Sequence, residues 1–288
     1  MKYALFSGCN IPQKENAYEL SSIKVAEKLD IQLINLEDSN CCGYFLGFID
    51  KLSSTVLAAR NLSLAEENGC DLVTLCNGCF GQLTRVNYEL QTDASLLKKV
   101  NDMLGDIGKK YTGKTKVKHF TQVLLQDVGI SKIKETIVKP MTNLRIAPHW
   151  GCHIVRPVKK MHFDDPEDPQ ILDSLIGVTG AQLVDFLDRK MCCGGPVSGV
   201  DEKVALQILS EKLGNIQRSK ADAIVTVCPF CHIQFDLNQL TLEDEYSESY
   251  QIPVLHYPQL LGLAQGMSPD ELGVYDNRVP VDDLIDSL

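Results

Sequence analysis

Ten of the eleven cysteines fall into a pattern that occurs twice along the chain. Each copy has an isolated cysteine, then an adjacent pair followed by glycine, then two cysteines separated by two residues. The spacers are 31 and 33 residues in the first copy and 39 and 34 in the second. The first copy consists of Cys9, Cys41, Cys42, Cys76 and Cys79, and the second of Cys152, Cys192, Cys193, Cys228 and Cys231.

Thiolates at fixed spacing bind zinc, copper(I) or iron–sulfur clusters. A structural zinc site takes four ligands, usually as two close pairs, whereas each copy offers five cysteines. Five is also one more than a cubane iron–sulfur cluster needs, and the same extra cysteine occurs in both copies. We favour an iron–sulfur cluster in each half. Zinc in at least one half and dithiol redox chemistry remain as alternatives.

Other candidate site residues stand beside the cysteines. Gly43, Gly194 and Gly195 follow the adjacent pairs, and we expect their flexible backbone to let N–H groups point at cluster sulfurs. An ordinary turn is the alternative for any one of them. His153 and His232 follow motif cysteines and are candidate proton donors to a leaving thiolate, although the first half has Asn and Phe at these places.

The cysteines belong to a longer internal repeat of strands and helices. Continuous apolar runs at 71–76 and 222–228 precede each Cys-x-x-Cys and are typical of strands buried in a parallel sheet. Further strands are predicted at 31–36 and 182–186, and helices over 17–29, 52–68 and 204–220. Both halves then repeat a His-x-x-Gln strip, whose histidines we interpret as structural.

This alternation predicts an α/β fold made of two duplicated, pseudo-symmetric α/β domains, each with a small, mostly parallel sheet. All ten cysteines would stand at strand ends or helix starts, where such sheets bind ligands. The expected domains are 1–135 with the first cluster and 144–266 with the second. The tail at 267–288 is expected to pack on the body or on a partner.

The composition limits the possible function classes. The chain has 288 residues, 44% hydrophobic and 23% charged, with a net charge of −10, which argues against binding to nucleic acid phosphates. No stretch approaches about 18 consecutive apolar residues, so we expect no transmembrane helix. The first residues do not resemble a signal peptide. Clustered cysteines in a chain of this size suit the reducing cytoplasm, and Cys70, outside the pattern, is expected to be a small hydrophobic residue.

With ten ligand-type cysteines at these spacings, the chain resembles the cysteine-rich CCG-domain family, and within it the B subunits of heterodisulfide reductases from methanogenic archaea. The likeness covers nearly all 288 residues, including the Gly-Cys starts and the tail at 268–273. It implies two non-cubane [4Fe-4S] clusters that each use all five cysteines of their motif. It further implies reduction of the coenzyme M–coenzyme B heterodisulfide to two thiols, with the disulfide held between the clusters.

The resemblance also implies partners. The chain has no ferredoxin-type cysteine run and no Gly-x-Gly-x-x-Gly fingerprint, so we expect no flavin or NAD in it and electrons from other proteins. The family names these as a ferredoxin-like protein (the C subunit) with a flavoprotein (the A subunit), and a hydrogenase or formate dehydrogenase upstream. Because both coenzymes are anionic, basic residues near the motifs are candidate substrate contacts. These are Lys14, Arg85, Arg156, Lys159, Arg189 and Lys190.

Two other functions remain open at this stage. Related CCG subunits serve thiol:fumarate reduction, succinate:quinone reduction, and glycolate or lactate oxidation. A zinc-stabilised scaffold that only joins redox partners is an alternative of a different class.

Overall fold

The computed structural model describes residues 1–156 and 163–288. The first half has a parallel four-stranded sheet of β1 (Lys2–Phe6), β2 (Gln32–Asn35), β3 (Asp71–Thr74) and β4 (Val117–His119). The strand order is β2-β1-β3-β4, with Tyr3 of β1 opposite Leu33 and Asp71. The helices of this half are α1 (Ile11–Lys14), α2 (Asn16–Lys28), α3 (Lys51–Glu67), α4 (Asn77–Thr92), α5 (Ala94–Gly105), α6 (Phe120–Gln122) and α7 (Ile130–Glu135). A π-helical turn, Val123–Val128, joins the last two.

The second half repeats this sheet with β5 (Arg145–His149), β6 (Gln182–Leu183), β7 (Ala223–Thr226) and β8 (Val254–His256), in the order β6-β5-β7-β8. All three strand pairings are again parallel. Its helices within the described ranges are α8 (Ile171–Val178), α9 (Glu202–Ser219), α10 (Pro229–Tyr246), α11 (Tyr257–Ala264) and α12 (Asp282–Asp286). The duplicated α/β fold with mostly parallel sheets is thereby confirmed.

Two hydrophobic clusters cover the two faces of the sheets. Successive side chains of a strand point to opposite faces, so Tyr3 and Leu5 lie in one cluster while Ala4 and Phe6 lie in the other. Each cluster draws buried residues from both halves of the chain. The halves therefore share their hydrophobic cores, and their cysteine-bearing edges are held in a fixed relation.

The His-x-x-Gln strips are capping boxes that end one strand and start the next helix. The His119 N–H donates to Gln122 Oε1 at 3.0 Å, and the His256 N–H donates to Gln259 Oε1 at 2.9 Å. Such a box satisfies backbone donors that a helix start leaves free. The repeated strip thus orients α6 and α11 on their sheets.

The segments outside the two sheets are packed on them. In the linker, the Val138 and Lys139 N–H groups both donate to the Ala264 carbonyl at 3.0 Å. In the tail, Leu272 and Val274 are fully buried in a hydrophobic cluster. Across the described residues, every helix is too short or too polar to traverse a lipid bilayer.

One predicted strand is much shorter than expected. The prediction covered 182–186, but β6 contains only Gln182 and Leu183. One further bond, from the Val184 N–H to the Ile146 carbonyl at 2.9 Å, extends the pairing. The chain then leaves the sheet edge to form the loop that carries the second adjacent cysteine pair.

Candidate metal centre

The cysteines stand at the carboxyl edges of the two sheets. Cys9 and Cys152 follow β1 and β5, and Cys76 and Cys228 follow β3 and β7 as the N-cap residues of α4 and α10. Because all strands of a sheet are parallel, these positions meet at one edge. The N-terminus of each helix, which is the positive end of its dipole, lies at the Cys-x-x-Cys motif. Hydrogen bonds with neighbouring thiols nevertheless raise the pKa of Cys76, Cys79 and Cys231, and of these four thiols only Cys228 has a lowered pKa.

A single cavity gathers the cysteines of both halves. Nine of the ten motif cysteines line it, and it encloses about 640 Å³ of empty space including its open mouth. Cys192 adjoins it through hydrogen bonds with Cys152 and Cys193. The two halves thus present one site. Its lining is Cys9, Cys41, Cys42, Tyr44, Phe45, Cys76, Asn77, Gly78, Cys79, Cys152, His153, Cys193, Pro196, Cys228, Phe230 and Cys231.

The sulfur atoms are close neighbours within each half and across the seam. The Cys193 and Cys231 Sγ atoms are 3.5 Å apart. Cys76 and Cys228, one from each half, hydrogen-bond to each other through their side chains. Iron–sulfur clusters bound by the two sets of thiolates would therefore be neighbours.

The pKa values of the two adjacent cysteine pairs follow the same pattern in both halves. Hydrogen bonds from Cys42 and Cys9 lower the pKa of Cys41 from 9.0 to about 2. Because Cys42 donates its proton in the hydrogen bond to Cys41, the same contact raises the pKa of Cys42 to about 12. Cys192 and Cys193 repeat these shifts, to about 2 and about 12, through their neighbouring thiols. Five crowded thiols can all ionise only beside a strong positive charge, which a bound metal supplies.

Backbone N–H groups point at these sulfurs, in the places that the sequence predicts. The Gly43 N–H donates to Cys41 Sγ, the Gly194 N–H to Cys192 Sγ and the Gly195 N–H to Cys193 Sγ, each at 3.4 Å. At Gly194 φ is +86°, and a Cβ there would lie 2.8 Å from the Ala205 carbonyl oxygen. This turn therefore needs glycine for both its conformation and its packing.

Glycine also leaves room at the isolated cysteines. A Cβ on Gly8 would lie 3.0 Å from Cys79 Sγ, and one on Gly151 would lie 3.3 Å from Cys231 Sγ. The donor set, the N–H groups and this free space fit an iron–sulfur cluster in each half. The five cysteines of each motif are the residues that could hold it.

Aromatic and amide groups join the halves around the cavity. Tyr44 Oη and His153 Nε2 share a hydrogen bond of 2.8 Å across the seam. Asn77 Nδ2 donates to the Trp150 carbonyl at 2.6 Å, also from one half to the other. Burial, followed by the charges of nearby thiolates, raises the pKa of Tyr44. The phenol therefore stays neutral and can donate its proton in a hydrogen bond.

The two predicted proton donors lie in different places. His153 lines the shared cavity. His232 is 2% exposed, and its Nδ1 lies 2.9 Å from Glu15 Oε2 at the wall of a second, open cavity. The structure therefore brings only His153 to the cysteine cavity.

The candidate basic contacts that the structure describes do not line the cavity. No lysine or arginine lines it among residues 1–156 and 163–288. Lys14 lines the second cavity, Arg85 pairs with Glu89 at 2.7 Å and Lys190 pairs with Asp168 at 3.1 Å. Arg156 donates to the Pro166 carbonyl at 3.5 Å. Arg189 pairs with Asp173 and lies over the Trp150 ring. Lys159 is outside the described residues.

Sequence reasoning missed several residues of the site. Tyr44 and Phe45 follow the first Cys-Cys-Gly directly, and Asn77 lies inside a Cys-x-x-Cys, so adjacency to the motifs was an available signal. Cys70, expected to be a small hydrophobic residue, is only partly buried and packs at the edge of a hydrophobic cluster. Its Sγ donates to the Asn68 carbonyl at 3.1 Å, and it takes no part in the cavity.

Known proteins share both the motif and the fold. The model of the cysteine-rich CCG domain matches residues 3–84 and 146–236. The chain is 40% identical over 283 residues to the B subunit of the ferredoxin/F420H2-dependent CoB-CoM heterodisulfide reductase of Methanosarcina acetivorans, covering 96% of this chain and 94% of that protein.

A second relative has a different activity in its name. The chain is 33% identical to the 8-methylmenaquinol:fumarate reductase membrane anchor subunit of Wolinella succinogenes, covering 96% of this chain and 97% of that one. A crystal structure of a hypothetical protein from Helicobacter pylori has the same fold, with a TM-score of 0.78 and 17% identity over 97% of this chain and 52% of that chain. From the two matched regions and the extent of the identity, the chain belongs to the family of cysteine-rich CCG-domain proteins.

Proposed function

We propose that this chain is the catalytic subunit that reduces the coenzyme M–coenzyme B heterodisulfide to two thiols in methanogenesis. One observation carries the proposal: cysteines of both motif copies line a single cavity. A disulfide has two sulfur ends, and this cavity has two thiolate-rich walls. The relative named as the B subunit of a heterodisulfide reductase supports the choice of substrate.

We infer that each motif holds one [4Fe-4S] cluster of the non-cubane type through all five of its cysteines. Cys9, Cys41, Cys42, Cys76 and Cys79 would hold the first, and Cys152, Cys192, Cys193, Cys228 and Cys231 the second. Bound clusters supply electrons singly, so two sites at one cavity match the two electrons that, with two protons, convert a disulfide into two thiols.

The cavity lining determines which part of the substrate enters. Its described walls are formed by sulfur, aromatic carbon and a few neutral polar groups, with no basic side chain. An anionic group in such a wall would lose its hydration without gaining a counter-charge. The uncharged disulfide region therefore belongs inside, and the anionic ends of both coenzymes belong at or beyond the mouth.

Tyr44 and His153 supply polar atoms to the cavity lining. Their hydrogen bond joins the two halves, so it orients both side chains over the cavity. The Tyr44 ring also packs edge-on against Phe45 and Phe48 at 5.1 and 5.6 Å between ring centres. Tyr44 and Phe45 of this aromatic cluster line the cavity, so they form part of the wall that a bound substrate would contact.

Electrons and protons must reach the site from outside this chain. We propose two partner proteins, a ferredoxin-like C subunit together with a flavoprotein A subunit, with a hydrogenase or formate dehydrogenase upstream. The eleven cysteines are all free thiols, which suits the cytoplasm.

Metal content and substrate assays test the proposal. Anaerobically purified chain should be brown and contain about eight irons, four for each cluster. Colourless protein with one or two zinc ions would instead support a scaffold. The intact complex, supplied with a reduced viologen dye, should release thiols from the heterodisulfide, whereas turnover of fumarate or of glycolate without thiol release would identify another CCG-type activity.

Variants test whether the halves act together. Cys41→Ser and Cys193→Ser should each lose about half of the iron and all turnover, because the substrate needs both walls of the cavity. Cys70→Ser is the matched control, since Cys70 is a cysteine outside the cavity. Substantial turnover in either motif variant would contradict a shared site.

A further inference from the structure

A buried histidine faces the cysteines of the second half. His149, the last residue of β5, is 2% exposed, and neither of its ring nitrogens has a hydrogen-bond partner among the described residues. One of these nitrogens lies within 4.8 Å of both Cys193 Sγ and Cys231 Sγ. Whichever tautomer the ring adopts, it carries an N–H donor, and the two ligand sulfurs are polar neighbours of the ring.

A buried lysine lies in the same half. The Lys212 side chain on α9 is fully buried. Burial lowers its pKa, and the negative charges of Asp188, Cys193 and Cys231 oppose that shift. The ammonium group donates to the Asp188 carbonyl, lies 3.6 Å from Asp188 Oδ2 and sits 5.4 Å from the centre of the Phe186 ring. Since Asp188 is partly exposed and Lys212 is not, the cation is the more buried member of the pair.

The first half has neutral residues at both equivalent positions. Three residues before the isolated cysteine, it has Phe6 in place of His149. Asp50 caps α3 and Asp201 caps α9. Eleven residues after these aspartates, the first half has Asn61 where the second half has Lys212. Phe6 and Asn61 are fully buried, and the Asn61 amide binds the carbonyls of Asn40 and Cys41. The duplicated fold therefore surrounds its two cysteine sets with different electrostatics.

We propose that the second half holds its cluster at a higher reduction potential than the first half. Hydrogen bonds to cluster sulfurs and nearby positive charge both stabilise the reduced, more negative state. His149 supplies the donor and Lys212 supplies the charge. The inference rests on the iron–sulfur clusters of the proposed function, but it does not depend on which disulfide is the substrate.

A redox titration of the full, iron-loaded chain tests this without substrate. Electron paramagnetic resonance spectra recorded at controlled potentials should show two separate midpoints. The signal lost in Cys193→Ser belongs to the second half, and the signal lost in Cys41→Ser belongs to the first. The second-half midpoint should be the higher of the two, and an equal or lower value would overturn the proposal.

Substitutions within the second half identify the cause. His149→Phe installs the residue of the first half and should lower the second-half midpoint while leaving the first-half midpoint unchanged. His149→Gln keeps an N–H donor and should restore much of the lost midpoint potential. Lys212→Gln should lower the same midpoint, with Lys212→Arg as the charge-preserving control. The assignment to these residues fails if both midpoints move equally or neither moves.

These results are separable from the proposed function. Brown protein with the predicted order of midpoints but no thiol release would reject the proposed substrate and keep the present inference. Protein without iron would reject both.

Discussion

Glu15 provides the sharpest test of how the two halves are joined. This residue of the first half is 8% exposed, and its Oε2 lies 2.9 Å from His232 Nδ1 and 2.9 Å from His256 Nε2 of the second half. The His256 ring is stacked between His232 and Tyr18, at 3.9 Å from each. Glu15→Gln removes the charge while preserving the size of the side chain.

The magnitude follows from the carboxyl pKa. Burial favours the neutral acid, but the hydrogen bonds from His232 and His256, together with the His232 charge, outweigh burial and lower the pKa of Glu15 from 4.5 to about 2. Each pKa unit corresponds to about 1.4 kcal/mol, so the ionised carboxylate stabilises the folded state by about 3 kcal/mol. This contribution is present above pH 4.5 and is lost as the pH falls towards 2.

His232 sets the upper end of the pH window. Burial disfavours its charged form, but Glu15 overcomes this and raises the pKa of His232 above 6.5. The stabilisation from the raised pKa is complete below pH 6.5 and is lost as the pH rises through the folded value. The pair is therefore strongest between pH 4.5 and 6.5. His256, whose pKa is lowered to about 3 by burial and then by the His232 charge, donates to Glu15 as a neutral ring.

Urea unfolding at pH 6, followed by circular dichroism, measures the effect. With a slope of about 1–3 kcal/mol per M, a loss of about 3 kcal/mol moves the midpoint down by about 1 M or more. Glu27→Gln is the matched control, because this substitution removes the same charge at an exposed position of α2. Equal midpoints for the two variants, or a difference that does not shrink from pH 4.5 towards 2, would refute the reasoning.

Three other substitutions give independent checks. Gly43→Ala should cost about 1–2 kcal/mol of stability because the backbone there is left-handed, and the added Cβ would lie 2.8 Å from the Ser54 carbonyl oxygen. Urea unfolding should show lower stability, and iron analysis should show less bound metal. Full retention of both stability and iron would contradict the packing. Because Gln259 Oε1 accepts the His256 N–H, Gln259→Ala should cost about 1 kcal/mol of stability and lower the thermal unfolding midpoint. An unchanged midpoint would show that the capping box does not stabilise the fold. Cys70→Ser should keep all iron and colour, and loss of iron would mean that the ligand set is wrong.

The fold could be predicted largely because hydrophobic patterns and the repeat support each other. The buried run at 71–76 contains β3, and the predicted helix at 52–68 differs from α3 by one residue at each end. The strand at 182–186 was overextended because apolar alternation does not reveal where a partner strand ends. Only Arg145 and Ile146 of β5 pair with β6.

The sequence predicted the cysteines of the site, the glycines beside them and His153, but its basic candidates do not line the cavity. Ten thiols at repeated spacing already indicate metal chemistry, whichever way the chain folds. Proximity in sequence was a poor guide to substrate contacts, because side chains on a helix diverge around its axis. Arg85, six residues after Cys79, turns to Gln82 and Glu89 on its own helix.

Residues that differ between the two halves indicate how the roles of the halves differ. His119 and His256 occupy equivalent capping positions, yet His256 binds Glu15, while His119 Nε2 has no hydrogen-bond partner among the described residues. In the same way, His149 stands where the first half has Phe6. A heterodisulfide has two chemically different ends, so perfectly equivalent walls could not distinguish its orientations. Divergence inside a preserved repeat therefore offers a physical basis for distinct roles of the two halves in one reaction.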